Sequence, residues 1–279
     1  MSVWYSICRW TSLEMFQWEF ICNAMLAVIL IAPLFGLCST MIVTGKMSFF
    51  SDALGHSAFT GIAIGCIFGI TTPTWAAIVF SVGFALLFSF VRNKSNHAAD
   101  TLIGVFSSTA VALGIFVATF DGNSFTKYNR YLIGDILSVT PAQIGLLFCV
   151  LLAVITFWCL ASNRTLLSSI HPQLSSSRGI PAKTTQTLFT VIIAVVVTLA
   201  ISWVGLLILN SLLILPAAAS RNVAKNLKQY QLLSILFALI SSILGLILSY
   251  LLGVSAGASI SLTLSLIFII TFIFRKGRS

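Results

Sequence analysis

The chain has 279 residues, 58% of them hydrophobic and only 8% charged, with a mean hydropathy of +1.07. Soluble domains carry roughly 25% charged residues, so this composition excludes an ordinary soluble globule and fits a polytopic membrane protein. The net charge of +9 does not point to nucleic acid, because the 15 basic residues sit in short connections and at the C-terminus without interleaved aromatics, the pattern of positively charged inner loops in membrane topology.

A polar start with Arg9, Glu14 and Glu19 leads into an apolar run from about Phe20 to Val43, too long for a signal-peptide core and read as an uncleaved anchor. Thr44 to Phe50 is a short connection. Its Gly45-Lys46 is not a phosphate loop, since Thr40 stands where that motif needs glycine and Met47 where it needs serine or threonine.

The next stretch, Ser51 to Gly69 (SDALGHSAFTGIAIGCIFG), places Asp52 and His56 four residues apart in a membrane-buried helix. Residues at i and i+4 share a face, so carboxylate and imidazole can converge on one ligand. An aspartate at mid-membrane costs about 2.5–3.5 kcal/mol on insertion scales, and such residues mark an ion or substrate path. The bland alternative is that Asp52 caps the helix and His56 bonds a neighbouring carbonyl. Gly61, Gly65 and Gly69 form two overlapping G-x-x-x-G steps. At about 100° per residue they point away from the Asp52/His56 ridge and form a surface for a closely packed neighbouring helix.

Thr71-Thr72-Pro73 breaks this helix before a run from Trp75 to Val91, so the two are expected to be antiparallel neighbours. Leu102 to Phe120 follows, with Ser107, Ser108 and Thr109 read as helix-to-helix hydrogen-bonding groups. Tyr131 to Gln143, with Gly134, Asp135 and Pro141, reads as a short interfacial or re-entrant piece, and Asp135 is a weaker site candidate than Asp52. His97, beside Arg92 and Lys94, reads as a solvated loop histidine.

A span over about Ile144 to Leu160 precedes the one sizeable polar segment, residues 161–183, in which Arg164, Arg178 and Lys183 indicate the cytoplasmic side. Its centre, Ser169 to Arg178, is expected to form a short amphipathic helix ended by Gly179 and Pro181. Gln186 to Pro216 is apolar but interrupted by Ser202, Gly205, Asn210, Ser211 and Pro216, and reads as a broken-helix segment crossing twice. A basic connection with Arg221, Lys225 and Lys228 leads to spans over about Gln231–Leu252 and Ala256–Phe274, and the tail Arg275, Lys276 and Arg278 sets the C-terminus inside. Cys22, Cys38, Cys66, Cys149 and Cys159 fall in apolar runs without C-x-x-C spacing, and read as small core residues rather than a disulfide or thiolate framework.

Three stretches together resemble the permease subunits of the zinc/manganese-type bacterial ABC importers. SDALGHSAFTGIAIG is similar to the family's Gly-Asp-x-x-x-His signature, with Ser51 at the usual glycine. VGLLILNSLLILPAAASR, Val204 to Arg221, is similar to its VGxLLxxALLIxPAAxA segment, with Asn210 and Ser211 as departures. SSIHPQLSSSRGIP, Ser168 to Pro181, is similar to its cytoplasmic coupling segment, in which His171 and Gln173 replace an aspartate and a glutamate while Pro172 and Gly179 match.

The resemblance implies an all-α polytopic membrane protein of about eight transmembrane helices, some short or broken, plus a short cytoplasmic coupling helix, all in a single permease domain over residues 1–279 of the bacterial inner membrane. It implies Asp52 and His56 as ligands for Zn²⁺ or Mn²⁺, with Fe²⁺ a further candidate, carried as substrate with no permanently bound cofactor. Ser169, His171, Pro172, Gln173 and Gly179 become contacts to a separate cytoplasmic ABC ATPase. An extracytoplasmic metal-binding protein and a second permease copy or sister permease complete the implied assembly. A permease for a metal chelate or cobalamin-like cargo is the alternative. An intramembrane enzyme needs a recognisable constellation, and the sequence has no H-E-x-x-H, no G-x-S-G and no H-x-x-x-x-D.

Overall fold

In the computed structural model, residues 4–5, 14–70, 73–95, 97–120, 135–170, 172–179 and 181–275 are described, and they are helical without strands. The α-helices among them are α1 (Glu19–Thr44), α2 (Phe50–Ile67), α3 (Pro73–Lys94), α4 (Ala99–Phe120), α5 (Pro141–Ile170), α6 (Pro172–Ser177), α7 (Ala182–Val204), α8 (Leu206–Val223), α9 (Leu227–Leu252) and α10 (Ala256–Ile273). Eight of them are long and apolar enough to cross a membrane: α1, α3, α4, α5 and α7 to α10. The long helix missing from that set is α2, whose Ser51, Asp52, His56, Ser57 and Thr60 dilute its apolar character.

Two compact units are present, one of Met1–Thr40, Asp135–Thr156 and Trp203–Ser279, the other of Met41–Gly134 and Phe157–Ser202. In the second unit, α2 is the inner element and α3 and α4 pack on it. Phe50 at the start of α2 meets Phe88 late in α3, ring centroids 4.7 Å apart, while Gly61 near the far end of α2 meets Ala77 early in α3. The two are therefore antiparallel, as the short connection predicts. A Cβ at Gly61 would lie 2.6 Å from the Ala77 Cα, and one at Gly65 2.7 Å from the Ala76 Cβ. Only glycine permits that approach, and the Ser57 and Ser81 hydroxyls bond across the same seam at 3.1 Å.

Helix α4 runs the same way as α2. Phe106, early in α4, meets edge-on at 5.4 Å the same Phe88 of α3 that packs on Phe50 at the start of α2. Further along, Thr60 Oγ1 donates to the Ala110 carbonyl at 2.8 Å. At the basic end, Arg92 Nη2 donates to the Gly45 carbonyl just past α1, a cation satisfying a helix-terminal acceptor.

Gly69 does not belong to the packing ridge. It lies beyond α2 at φ +69°, with no atom within 4 Å of where a Cβ would stand. The Ile70 N–H returns to the Gly65 carbonyl and the Gly69 N–H to that of Cys66. This is a Schellman helix end, which needs a left-handed residue; the third glycine stops the helix instead of packing it.

The polar segment 161–183 also differs from expectation. Helix α5 continues to Ile170, so Ser169 lies on a long helix, and the short helix α6 covers only Pro172–Ser177. Polar residues are no obstacle to a helix once it need not meet hydrocarbon, and Thr165, Ser168 and Ser169 bond carbonyls of their own preceding turn. The Ser168 and Ser175 hydroxyls pair at 3.0 Å, and Gln186 Nε2 donates to the Ser168 carbonyl at 2.9 Å, tying α5, α6 and α7 together. Gly179, at φ +72°, follows α6.

In the first unit, α9 approaches α1 at Gly36, where a Cβ would fall 2.9 Å from the Ile235 Cα. The Ser39 and Ser234 hydroxyls pair beside it at 2.9 Å. Gly245 plays the same part between α9 and α10, 2.5 Å from the Ile260 Cα. The helix break falls at Gly205, φ +86° and ψ 156°, a conformation open essentially to glycine alone. Asn210, Ser211 and Pro216 instead lie inside the continuous helix α8. A proline is tolerated in such a helix where surrounding groups satisfy the backbone. Cys22 and Cys38 are core residues as expected, but Cys149 and Cys159 are exposed on α5, where an apolar side chain faces outward rather than inward.

Gly61→Ala is expected to destabilise the protein by about 1–3 kcal/mol through overpacking, read as a lower midpoint of thermal unfolding in detergent. Gly83→Ala, which meets open space, serves as the control and is expected to leave the midpoint unchanged or raise it. Equal midpoints for both variants would contradict the close α2–α3 seam.

Candidate metal site

The N-cap of α2 is Phe49, and Asp52 is the third residue of the helix, in its first turn. Asp52 is therefore not the N-cap residue. A carboxylate here lies at the positive end of the helix dipole, a favourable place for a negative charge. His56 follows one turn later, with its Nε2 3.6 Å from Asp52 Oδ2. That separation is beyond a hydrogen bond, but close enough for both atoms to face one ligand.

The surroundings isolate the pair. From Phe50 to Ala63 every residue is buried except these two, whose side chains keep 28% (His56) and 41% (Asp52) of their surface accessible. An enclosed helix thus opens to its surroundings, over that length, only through one carboxylate and one imidazole. Among the described residues no group of three or more His, Cys, Asp or Glu is arranged to hold a metal. The pair therefore offers one oxygen and one nitrogen from its own helix and leaves any other coordination position to water or to groups of other types.

The next residue at the same helical spacing is Thr60, which is 1% exposed. Its hydroxyl lies 3.1 Å from the His56 carbonyl and 2.8 Å from that of Ala110. No motif singles this threonine out, although the 52–56–60 spacing is the signal that marks it as the third member of the ridge.

The other residues picked out from the sequence fall elsewhere. Gly61 and Gly65 form the seam with α3, on the side away from the pair. Asp135 is exposed and caps the 3-10 turn Ile136–Ser138, its Oδ1 accepting from the Leu137 N–H at 3.0 Å, a loop role. His97 is exposed in the α3–α4 connection. Of the α4 hydroxyls, Thr109 bonds the Val105 carbonyl of its own helix instead of a neighbouring helix. Ser169 bonds the Thr165 carbonyl, Gln173 is exposed on α6, and His171 lies outside the described residues. Ser211 donates to Ser261 on α10 at 2.7 Å, a helix-to-helix contact.

Comparison with known proteins places the chain in a family. A model of the ABC 3 transport family matches residues 17–275. The chain is 29% identical to the high-affinity zinc uptake system membrane protein ZnuB of Haemophilus influenzae, over 81% of this chain and 86% of ZnuB. It is 32% identical to the manganese import system permease protein ScaB of Streptococcus parasanguinis, over 78% of this chain and 77% of ScaB. Among solved structures, PsaBC from Streptococcus pneumoniae in complex with Fab matches with a TM-score of 0.78 and 29% identity, covering 98% of this chain and 95% of that one. With a family match that runs over nearly its whole length and an all-helical fold shared with a solved relative, the chain belongs to the ABC 3 transport family.

Proposed function

We propose that this chain is the permease of a bacterial ABC importer for Zn²⁺ or Mn²⁺, with Fe²⁺ a further candidate, and that Asp52 and His56 bind the cation in transit. The observation that carries this reading is the pair itself, the only opening along an otherwise buried stretch of helix. ZnuB and ScaB, relatives of this chain, are by name a zinc uptake protein and a manganese import permease, and their chemistry matches the donor set: a carboxylate oxygen and an imidazole nitrogen suit such cations better than soft thiolates would. The exposed Cys149 and Cys159 on α5 take no part.

Two ligands from one helix are few for a resident metal and suitable for a passing one. A cation must bind well enough to leave water and weakly enough to be released. The divalent charge also lowers the cost of keeping the Asp52 carboxylate away from bulk water. His56 ligates through the neutral imidazole, a common nitrogen ligand for such cations. A larger chelated cargo brings its own ligands and has no use for this pair.

The energy comes from a separate cytoplasmic ATPase, and the sequence contains no phosphate loop of its own. Helix α6, with Gln173 and Leu174 exposed and its base tied to α5 and α7 through Ser168, Ser175 and Gln186, is a stiff docking element suited to passing on a push. An extracytoplasmic metal-binding protein delivers the ion, and a second permease copy or sister permease completes the channel in the bacterial inner membrane. Residues 1–279 act as one permease domain in that assembly.

Uptake of radioactive Zn²⁺ and Mn²⁺ into cells bearing the assembled transporter tests the reading. Asp52→Ala and His56→Ala, at equal membrane expression, are each expected to lose at least about tenfold in uptake, the scale on which altered metal sites lose affinity. Undiminished uptake in both variants would make the pair structural.

The fold is expected to survive these changes. A partly exposed i,i+4 pair contributes about 0.3–0.5 kcal/mol, so Asp52→Asn and His56→Gln should move the thermal midpoint by no more than about 2 °C. A much larger drop would assign the pair to stability instead of transport.

A further inference from the structure

Threonines in helices usually turn their hydroxyl back on the carbonyl four residues earlier, and Thr109, Thr119, Thr156 and Thr165 do so here. Thr60 differs. Its single hydroxyl proton has two carbonyl acceptors, His56 of its own helix at 3.1 Å and Ala110 of α4 at 2.8 Å, and the shorter contact is the one between helices. The group is 1% exposed, so this bond forms away from water, where it is electrostatically stronger.

Helix α4 is shaped to receive it. One turn beyond Ala110 stands Gly114, where a Cβ would lie 2.7 Å from both Thr60 Oγ1 and Phe59 Cδ1. Ala110 and Gly114 thus form a socket for the turn of α2 that directly follows His56. On its opposite side α2 is held by the glycine seam with α3. Rotation of α2 is therefore fixed from both sides, one turn from the imidazole. Ligands from a single helix depend on that rotation, because both side chains swing together if the helix turns. Productive sites need such groups held to within about 0.5 Å.

We propose that Thr60 is a positioning residue of the Asp52/His56 site: its hydrogen bond to the Ala110 carbonyl sets the rotation of α2, and so the affinity and the selectivity with which the pair meets a divalent cation. The inference rests on the proposed role of the pair in transport. Thr60→Val keeps the shape and removes the hydroxyl, whereas Thr60→Ser keeps the hydroxyl. Ala110 keeps its place in α4 in either case, so no helical bond is broken.

The experiment compares wild type, Thr60→Val, Thr60→Ser and His56→Gln in uptake of Zn²⁺ and of Mn²⁺ over a range of concentrations, with thermal midpoints measured on the same preparations. Thr60→Val is expected to raise the half-saturating concentration about 3- to 10-fold, the worth of one hydrogen bond, to change the Zn²⁺-to-Mn²⁺ ratio, and to leave the maximal rate nearly unchanged. Thr60→Ser restores the wild-type half-saturation, and His56→Gln abolishes uptake. A Thr60→Val transporter with wild-type half-saturation beside an inactive His56→Gln overturns the Thr60 inference alone. A lower maximal rate and thermal midpoint at unchanged half-saturation also overturns it, since that is the mark of a merely structural contact. Full uptake by His56→Gln removes the site and the inference with it.

Discussion

The constraint on which the structure depends is that α2 cannot face hydrocarbon. A carboxylate and an imidazole on one helical ridge, with serine and threonine beside them, leave this helix outside the set apolar enough to cross a membrane by itself. It has to be enclosed by other helices, and the enclosure has to be close, since each gap along a polar helix would admit water or lipid. Three glycines provide that closeness, Gly61 and Gly65 of α2 toward α3 and Gly114 of α4 toward α2. The outward faces of α3 and α4 are then free to be apolar, and only 28% of each of their apolar windows is buried. In this unit the polar residues of α2 are inside and the lipid-compatible surface is outside.

Enclosure also determines what the pair can do. With every neighbour along Phe50 to Ala63 buried, the two side chains are the only chemistry the helix presents there. Their separation of 3.6 Å is longer than a hydrogen bond. In the proposed transport role, binding by few ligands is a compromise between capture and release. A fuller protein cage would hold the ion and slow its departure.

Much of this is legible in the residues. Apolar runs become helices at nearly the expected bounds because hydropathy is a local property, and the i,i+4 spacing alone puts Asp52 with His56 and Gly61 with Gly65 on opposite sides. What is not legible has physical reasons. Gly69 has the same spacing as its fellow glycines, but glycine serves both close packing and left-handed helix ends, and periodicity does not separate the two uses. Pro216 and Asn210 look like helix breakers by the standards of water-soluble proteins, yet the break lies at Gly205, where the required φ of +86° is invisible until the backbone is built. Residues 161–170 look like a loop because they are polar, although polarity marks only where a helix leaves hydrocarbon. The partner of Thr60 lies fifty residues away in the chain, beyond the reach of any local pattern.

The proposal that Asp52 and His56 together hold the transported cation is tested by X-ray absorption spectroscopy at the metal edge of the purified, Zn²⁺-loaded transporter. The predicted result is a first shell of nitrogen and oxygen without sulfur, with the outer-shell scattering of a single type of imidazole ligand that disappears in His56→Gln. A sulfur shell, or a spectrum unchanged by His56→Gln, would contradict the claim and place the cation elsewhere in the permease.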